Sequence, residues 1–241
     1  MTPNGPLAGA GRDTRFAFPG RQDHFVKYGG HRTEGAFELD ADFVVVDVET
    51  SGLEPRRGAR IIEFAAVRVS NSGQVLDSFH TLINPTDGNV GLTAIHGITA
   101  EMVRDAPTFA QVIDQVKAKF NRAIFVAHHA LFDERFVANE FEIAGQSLKT
   151  MPGICTYWLS REINHKTDEF PNHKLETLTR HYKLNPGVAH SAYSDALVVA
   201  QMLPIMLKAS GPHRHYVDVV DQDFCDYDNA VLRPRALSLF D

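Results

Sequence analysis

Residues 43–53 read FVVVDVETSGL. Phe43 to Val48 form a β-branched run of strand length, and Thr50, Ser51 and Gly52 supply the turn chemistry that ends it. Valines at positions 44, 45, 46 and 48 put apolar groups on both faces, the pattern of a strand in the interior of a sheet. Asp47 and Glu49 alternate with Val48, so both carboxylates project from one face. A strand that simply ends in solvent would explain an isolated D-x-E. In an interior strand, two like charges at that spacing are costly unless something positive lies between them.

Working outward, RIIEFAAVRVS (60–70) and QVLDSFHTLIN (74–84) have strand composition and a short connection through Asn71, Ser72 and Gly73, so they read as a hairpin. Phe109, Val112, Ile113, Val116 and Phe120 recur at helical intervals behind the start signal Pro107-Thr108. AIFVAHH (123–129) returns to strand, and LFDERFVANEFEIAG (131–145) reads as an amphipathic helix closed by Gly145. Further helices are expected over 174–183 and 192–208, the last closed by Gly211 and Pro212. The order predicts an α/β domain over residues 41–210, a mixed sheet flanked by helices, with ligand sites at strand ends.

The flanks differ in composition. Residues 1–40 hold seven of the 17 glycines, with Pro3, Pro6 and Pro19 and no sustained period, and read as a flexible N-terminal arm. Residues 211–241 read as an acidic linker ending in RPRALSLFD.

At 241 residues, 44% hydrophobic and 22% charged, the chain can bury one sizeable core. It shows neither an apolar run of about 18 residues nor a signal-peptide pattern, and its two cysteines, Cys155 and Cys225, are far apart. A reducing, cytoplasmic compartment is expected. The net charge of -6 argues against gripping long duplex DNA through many phosphates, though not against holding one chain end. Charge is uneven: through Gly35 five cations face three carboxylates, leaving about -8 on the remainder.

Two further acidic positions stand out. Asp133, in AHHALFD, enters the first turn of a helix just after a strand, where capping alone would account for it. In HSAYSD, His190 precedes a helix and Asp195 lies about one turn inside it. Taken together, DVETSGL, AHHALFD and HSAYSD resemble, in order, the three motifs of the DEDDh 3′–5′ exonuclease family, which has an RNase H-like fold. IIEFAAV and IHGIT also sit where that family has similar segments. The resemblance covers roughly residues 42–208.

The resemblance implies that Asp47, Glu49, Asp133 and Asp195 hold two divalent cations, Mg²⁺ or Mn²⁺, with Asp47 shared between them. It implies that His190, with an unperturbed pKa of about 6.5, takes a proton from the attacking water. An all-oxygen donor set suits those hard ions better than zinc. Thr50, Ser51, Gly52 and Leu53 are implied to receive the terminal nucleotide, with His96 and Phe132 flanking the same pocket, although Phe132 also fits a plain helix core. The chain has His129 where the family commonly has Asn, which makes that position sensitive to pH.

The implied activity is release of 5′-mononucleotides from the 3′ end of single-stranded or frayed DNA, resembling the proofreading subunits of bacterial DNA polymerase III. A 3′–5′ exoribonuclease similar to RNase T or oligoribonuclease is the nearest alternative, since the catalytic residues do not report the sugar. A non-catalytic clamp-binding adaptor is a third. His213 and His215 lie in a breaker-rich loop without the partners of a zinc site, and the acidic run 218–228 lacks the glycine and closing glutamate of an EF-hand.

The terminal ALSLF, Ala236 to Phe240, resembles the pentapeptide Q-L-S/D-L-F by which bacterial proteins bind the sliding clamp. Leu237, Ser238, Leu239 and Phe240 match and Ala236 does not. A tail carrying apolar anchors fits a preformed groove on a partner, and tethering would offset a weak grip on DNA. A replicative polymerase is a further candidate partner, one that the sequence does not specify.

Overall fold

The computed structural model describes residues 25–28, 37–38, 42–70, 72–185, 187, 191–210 and 235–236. His190, Leu237, Ser238, Leu239 and Phe240 lie outside the described residues.

The first run is indeed a central strand. β1 (Val26–Tyr28), β3 (Asp42–Thr50), β4 (Ile61–Val69), β5 (Val75–Leu82), β6 (Ala123–Ala127) and β7 (Met151–Cys155) form one mixed sheet in the order β1-β7-β6-β3-β4-β5. β3 pairs antiparallel with β4, from Phe43↔Val69 to Glu49↔Glu63, and parallel with β6. β6, β7 and β1 continue in parallel. The carboxyl ends of β3, β6 and β7 therefore share one edge of the sheet.

Two helical layers cover the sheet. α3 (Phe109–Phe120) and α4 (Leu131–Ile143) pack with Val44, Val46 and Val48 of β3 on one face. α5 (Thr156–Thr167), α6 (Leu175–His181) and α7 (Ala192–Ser210) pack with Phe43 and Val45 on the other. Two single-turn helices, α1 (Thr93–His96) and α2 (Ala100–Val103), follow β5. The alternation along β3 thus divides the core in two, and Asp47 and Glu49 continue the face that meets α7.

Several elements go beyond the sequence expectation. β1 lies within the stretch read as an arm. It is held by Phe25, only 1% exposed, which meets Phe120 and Phe125 at ring-centroid distances of 6.0 and 5.7 Å, burial that contributes roughly 1.5–3 kcal/mol. The buried Glu134 accepts the Val26 N–H at 2.8 Å. β7, which contains Pro152 and Gly153, lies in a stretch to which the sequence reading assigns no element. Gly153 is required there, because a Cβ would lie 2.2 Å from Val26 Cγ1 and 3.0 Å from the Phe125 carbonyl oxygen. α5 follows β7 directly. Separately, β2 (Phe37–Glu38) pairs antiparallel with β8 (Arg235–Ala236), joining the arm stretch to the start of the terminal pentapeptide.

Candidate active site

At the carboxyl edge of the sheet, Asp47 and Glu49 from β3 meet Asp195, which the first turn of α7 presents to the same face. One carboxylate oxygen from each lies within 4.8 Å of the others. Asp133, from the first turn of α4, joins them in lining a cleft of about 390 Å³ with Val48, His128, His129 and Phe132. Asp133 is buried and accepts both its own backbone N–H and that of Val48. It sits in the first turn of α4, whose N-cap is Ala130, and has a place in the cleft.

Electrostatics give this cluster its character. Burial, followed by the charges of Asp133, Asp195, Glu49 and Glu63, pushes the Asp47 carboxyl well above the usual carboxylate range. Burial also raises Asp133, with Glu49 adding to it and the two backbone N–H groups opposing. Glu49 is pushed up to about 8, by burial first and then by Glu63 and Asp195. Carboxylates drawn together in this way are stabilised in their charged form by a cation. The donor set is hard oxygen throughout and fits a divalent cation.

Glu63, in IIEFAAV, is a residue whose place the sequence does not disclose. It faces Glu49 across the β3–β4 pair, is 5% exposed, and accepts the Ala192 N–H at 3.1 Å and the Ser191 hydroxyl at 3.3 Å. His80 contacts it at 2.6 Å and stacks on Tyr193. Glu63 thereby fastens the start of α7, and with it Asp195, to the sheet. On a strand it reads as an ordinary polar alternation, and only the docking of α7 reveals it.

The histidine pair behaves unequally. Burial first, then the charge of His129, lowers His128 to about 4, so it is neutral at physiological pH. Its Nε2 lies 3.0 Å from the His173 carbonyl, which must accept a proton there, leaving Nδ1 to accept from the Thr156 hydroxyl at 3.0 Å. His129 has φ 63° and stacks on Tyr157 at 3.9 Å. Burial lowers its pKa, which moves its charge change further below neutral.

The expected nucleotide-contacting residues divide. Phe132 lines the acidic cleft and also packs on Phe136. Thr50, Ser51, Gly52, Leu53 and His96 do not line that cleft. Thr50 donates to the Gly52 carbonyl, and Ser51 exchanges hydrogen bonds with the Arg60 backbone at 2.9 Å. Leu53 is 81% exposed. Gly91, at φ +70°, presses on the Ser51 carbonyl so closely that a Cβ would lie 2.3 Å from it. His96 accepts the Ile98 N–H through Nδ1, and its buried Nε2 has no partner among the described residues.

The exonuclease family RNase_T matches residues 44–203, which contain every element of this cleft. The chain belongs to that family. The RNase_T domain is 36% identical over 179 residues to the PolC-type DNA polymerase III of Staphylococcus saprophyticus, covering 73% of this chain and 12% of that protein. Identity to the protein of the same name from Halalkalibacterium halodurans is 34% over 171 residues, covering 70% and 12%. The chain thus spans about an eighth of the length of these curated relatives. Among solved structures, exonuclease I superposes with a TM-score of 0.61 at 19% identity, over 69% of this chain and 40% of that one. The nuclease domain of 3′hExo, a DEDDh family member, gives 0.57 at 18%, over 74% and 97%. These neighbours share the fold of the RNase_T domain: an RNase H-like mixed sheet flanked by helices. Among the described residues no helix is long and apolar enough to cross a membrane.

Proposed function

We propose that the domain is a divalent-cation-dependent 3′–5′ DNA exonuclease that releases 5′-mononucleotides, acting in the bacterial cytoplasm in proofreading or repair linked to replication. The observation that carries this reading is the convergence of Asp47, Glu49 and Asp195 oxygens within 4.8 Å, in the cleft that Asp133 also lines. When bound, Mg²⁺ or Mn²⁺ would supply Lewis acidity toward the phosphodiester and a water acidic enough to attack at neutral pH.

The chain's own groups do the rest. Asp47, Glu49, Asp195 and Asp133 would hold the cations; Glu63 keeps Asp195 in place; and His190 takes the proton from the attacking water. Thr50 to Leu53, with His96 and Phe132, receive the terminal nucleotide. The Nε2 of His96, without a partner among the described residues, and the exposed side chain of Leu53 favour this assignment. DNA rather than RNA is preferred because the two Staphylococcus saprophyticus and Halalkalibacterium halodurans relatives, at 36% and 34% identity, are named DNA polymerase III.

The test is degradation of 5′-labelled single-stranded DNA and RNA of one sequence with Mg²⁺ or Mn²⁺. Shortening from the 3′ end, faster on DNA, is the expected result. Preference for RNA would move the function to RNA turnover, and no cation-dependent cleavage of either would refute the nuclease reading.

The terminal Leu237, Ser238, Leu239 and Phe240 are proposed to bind a bacterial sliding clamp, which would bring the domain to the primer end beside a replicative polymerase. Leu239→Ala combined with Phe240→Ala is expected to abolish clamp binding in a surface-immobilisation assay. Undiminished binding would refute the motif.

A further inference from the structure

The acidic cleft is continuous on one side with a row of π faces that the terminal-nucleotide contacts do not use. β3, β6 and β7 end at the same sheet edge in the spatial order β3, β6, β7. His129, just beyond β6, lines the cleft and stacks on Tyr157 at 3.9 Å with an interplanar angle of 29°. Tyr157 and Trp158 open α5 directly beyond β7 and meet edge to face at 5.5 Å. Trp158 is 55% exposed, whereas the next two residues, Leu159 and Ser160, are buried. The Arg161 guanidinium lies 5.0 Å from the indole and 6.0 Å from the Tyr157 ring.

A tryptophan on this helix would serve core packing if it faced the sheet. Instead it stands in solvent beside an exposed cation, at the edge where the chemistry is placed. The chain is acidic overall and the cleft is a cluster of carboxylates, so a phosphate backbone leaving the cleft needs a cation along its path. Arg161 is placed to provide one. Aromatic faces with arginine are the usual platform for unpaired bases, tolerant of sequence because every base has a π face.

We propose that Trp158 and Arg161, backed by the His129–Tyr157 stack, form a stacking subsite for the nucleotides immediately 5′ of the terminal residue in a single-stranded substrate. This rests on the nuclease reading above and adds the path by which the strand leaves the cleft. Selection for an unpaired end follows, since a base can stack on the indole only when it is out of a duplex.

Trp158 is the sole tryptophan of the chain, so intrinsic fluorescence reports on it alone. Titration with a single-stranded oligothymidylate octamer in EDTA, with anisotropy of a labelled octamer as the measure of binding, should quench that emission in step with binding. Binding by anisotropy with unchanged emission would overturn the subsite, as would no binding at all. Kinetics give a second readout. Trp158→Leu should raise KM for the octamer about 5- to 100-fold, whereas Trp158→Phe, which keeps a ring, should stay within about threefold of wild type. Equal KM in all three proteins would refute the subsite while leaving the nuclease intact. Quenching without hydrolysis by wild type would instead sink the nuclease reading and keep the subsite.

Discussion

Asp47→Asn is expected to slow 3′-terminal hydrolysis by about 10³-fold while raising the melting temperature of the cation-free protein at alkaline pH. The first effect follows from the loss of a ligand at the centre of the cluster, where cation-assisted charge stabilisation is worth several kcal/mol, about tenfold in rate for each 1.4 kcal/mol. The second follows from the raised carboxyl pKa values. A carboxyl that is harder to ionise in the folded chain contributes stability that is fully present below its ordinary value and lost as pH rises through the folded value. For Glu49 that window runs from 4.5 to about 8, and Asp47 and Asp133 shift in the same direction. Replacing Asp47 by a neutral amide of the same shape removes a source of the repulsion.

Thermal melts in EDTA at pH 5 and pH 8.5 check this. Wild type should lose stability between the two, and Asp47→Asn should lose less. Mg²⁺ at 100 times its Kd adds about 2.7 kcal/mol, roughly 5–10 °C for a domain of this size, and should do so for wild type at the higher pH only. A variant that keeps a tenth of the wild-type rate, or melts lower than wild type at pH 8.5 without cation, would refute the arrangement.

Arg60→Leu is expected to cost about 3–5 kcal/mol of folding stability, the penalty for stranding one member of a buried ion pair. Arg60 makes a two-pronged contact with Glu140, Nε to Oε1 at 2.8 Å and Nη2 to Oε2 at 2.7 Å, and also donates to the Pro85 carbonyl. Glu140 is 1% exposed and accepts the Ile61 N–H as well. The hydrogen bond and charge of Glu140 raise the Arg60 pKa against the effect of burial, so the guanidinium stays charged. With the guanidinium gone, a carboxylate remains in the core with one backbone donor. Urea unfolding should show the loss, and adding Glu140→Leu should restore most of it, since two apolar groups of matched size remove the stranded charge. A cost below about 1 kcal/mol, or no recovery in the double variant, would contradict this account.

What the sequence discloses follows from how local each signal is. β3, the β4–β5 hairpin, α3, β6, α4 and α7 declare themselves because their apolar periods and end signals lie within a few residues. Asp47, Glu49, Asp133 and Asp195 are each ambiguous locally and stand out only through the ordered resemblance of DVETSGL, AHHALFD and HSAYSD to the family motifs; the topology then brings all four to one cleft. β1 and β7 are hidden from one another: Val26 is a strand residue because Gly153 leaves it room, and Gly153 sits in a strand because Val26 fills that room. Glu63 is hidden for a similar reason, since its partners Ser191 and Ala192 lie well over a hundred residues away. Trp158 carries no periodic signal at all, and its meaning comes from where β7 ends.

The cleft draws Asp133 from the helical layer on one face of the sheet and Asp195 from the layer on the other. In the proposed reaction this placement acts as a safeguard during synthesis. On that reading, a growing chain that presents Asp47 and Glu49 lacks the full carboxylate set until α7 has docked. A chain damaged in either layer would lack part of the same set, so the proposed cleavage would be confined to molecules whose folding is complete.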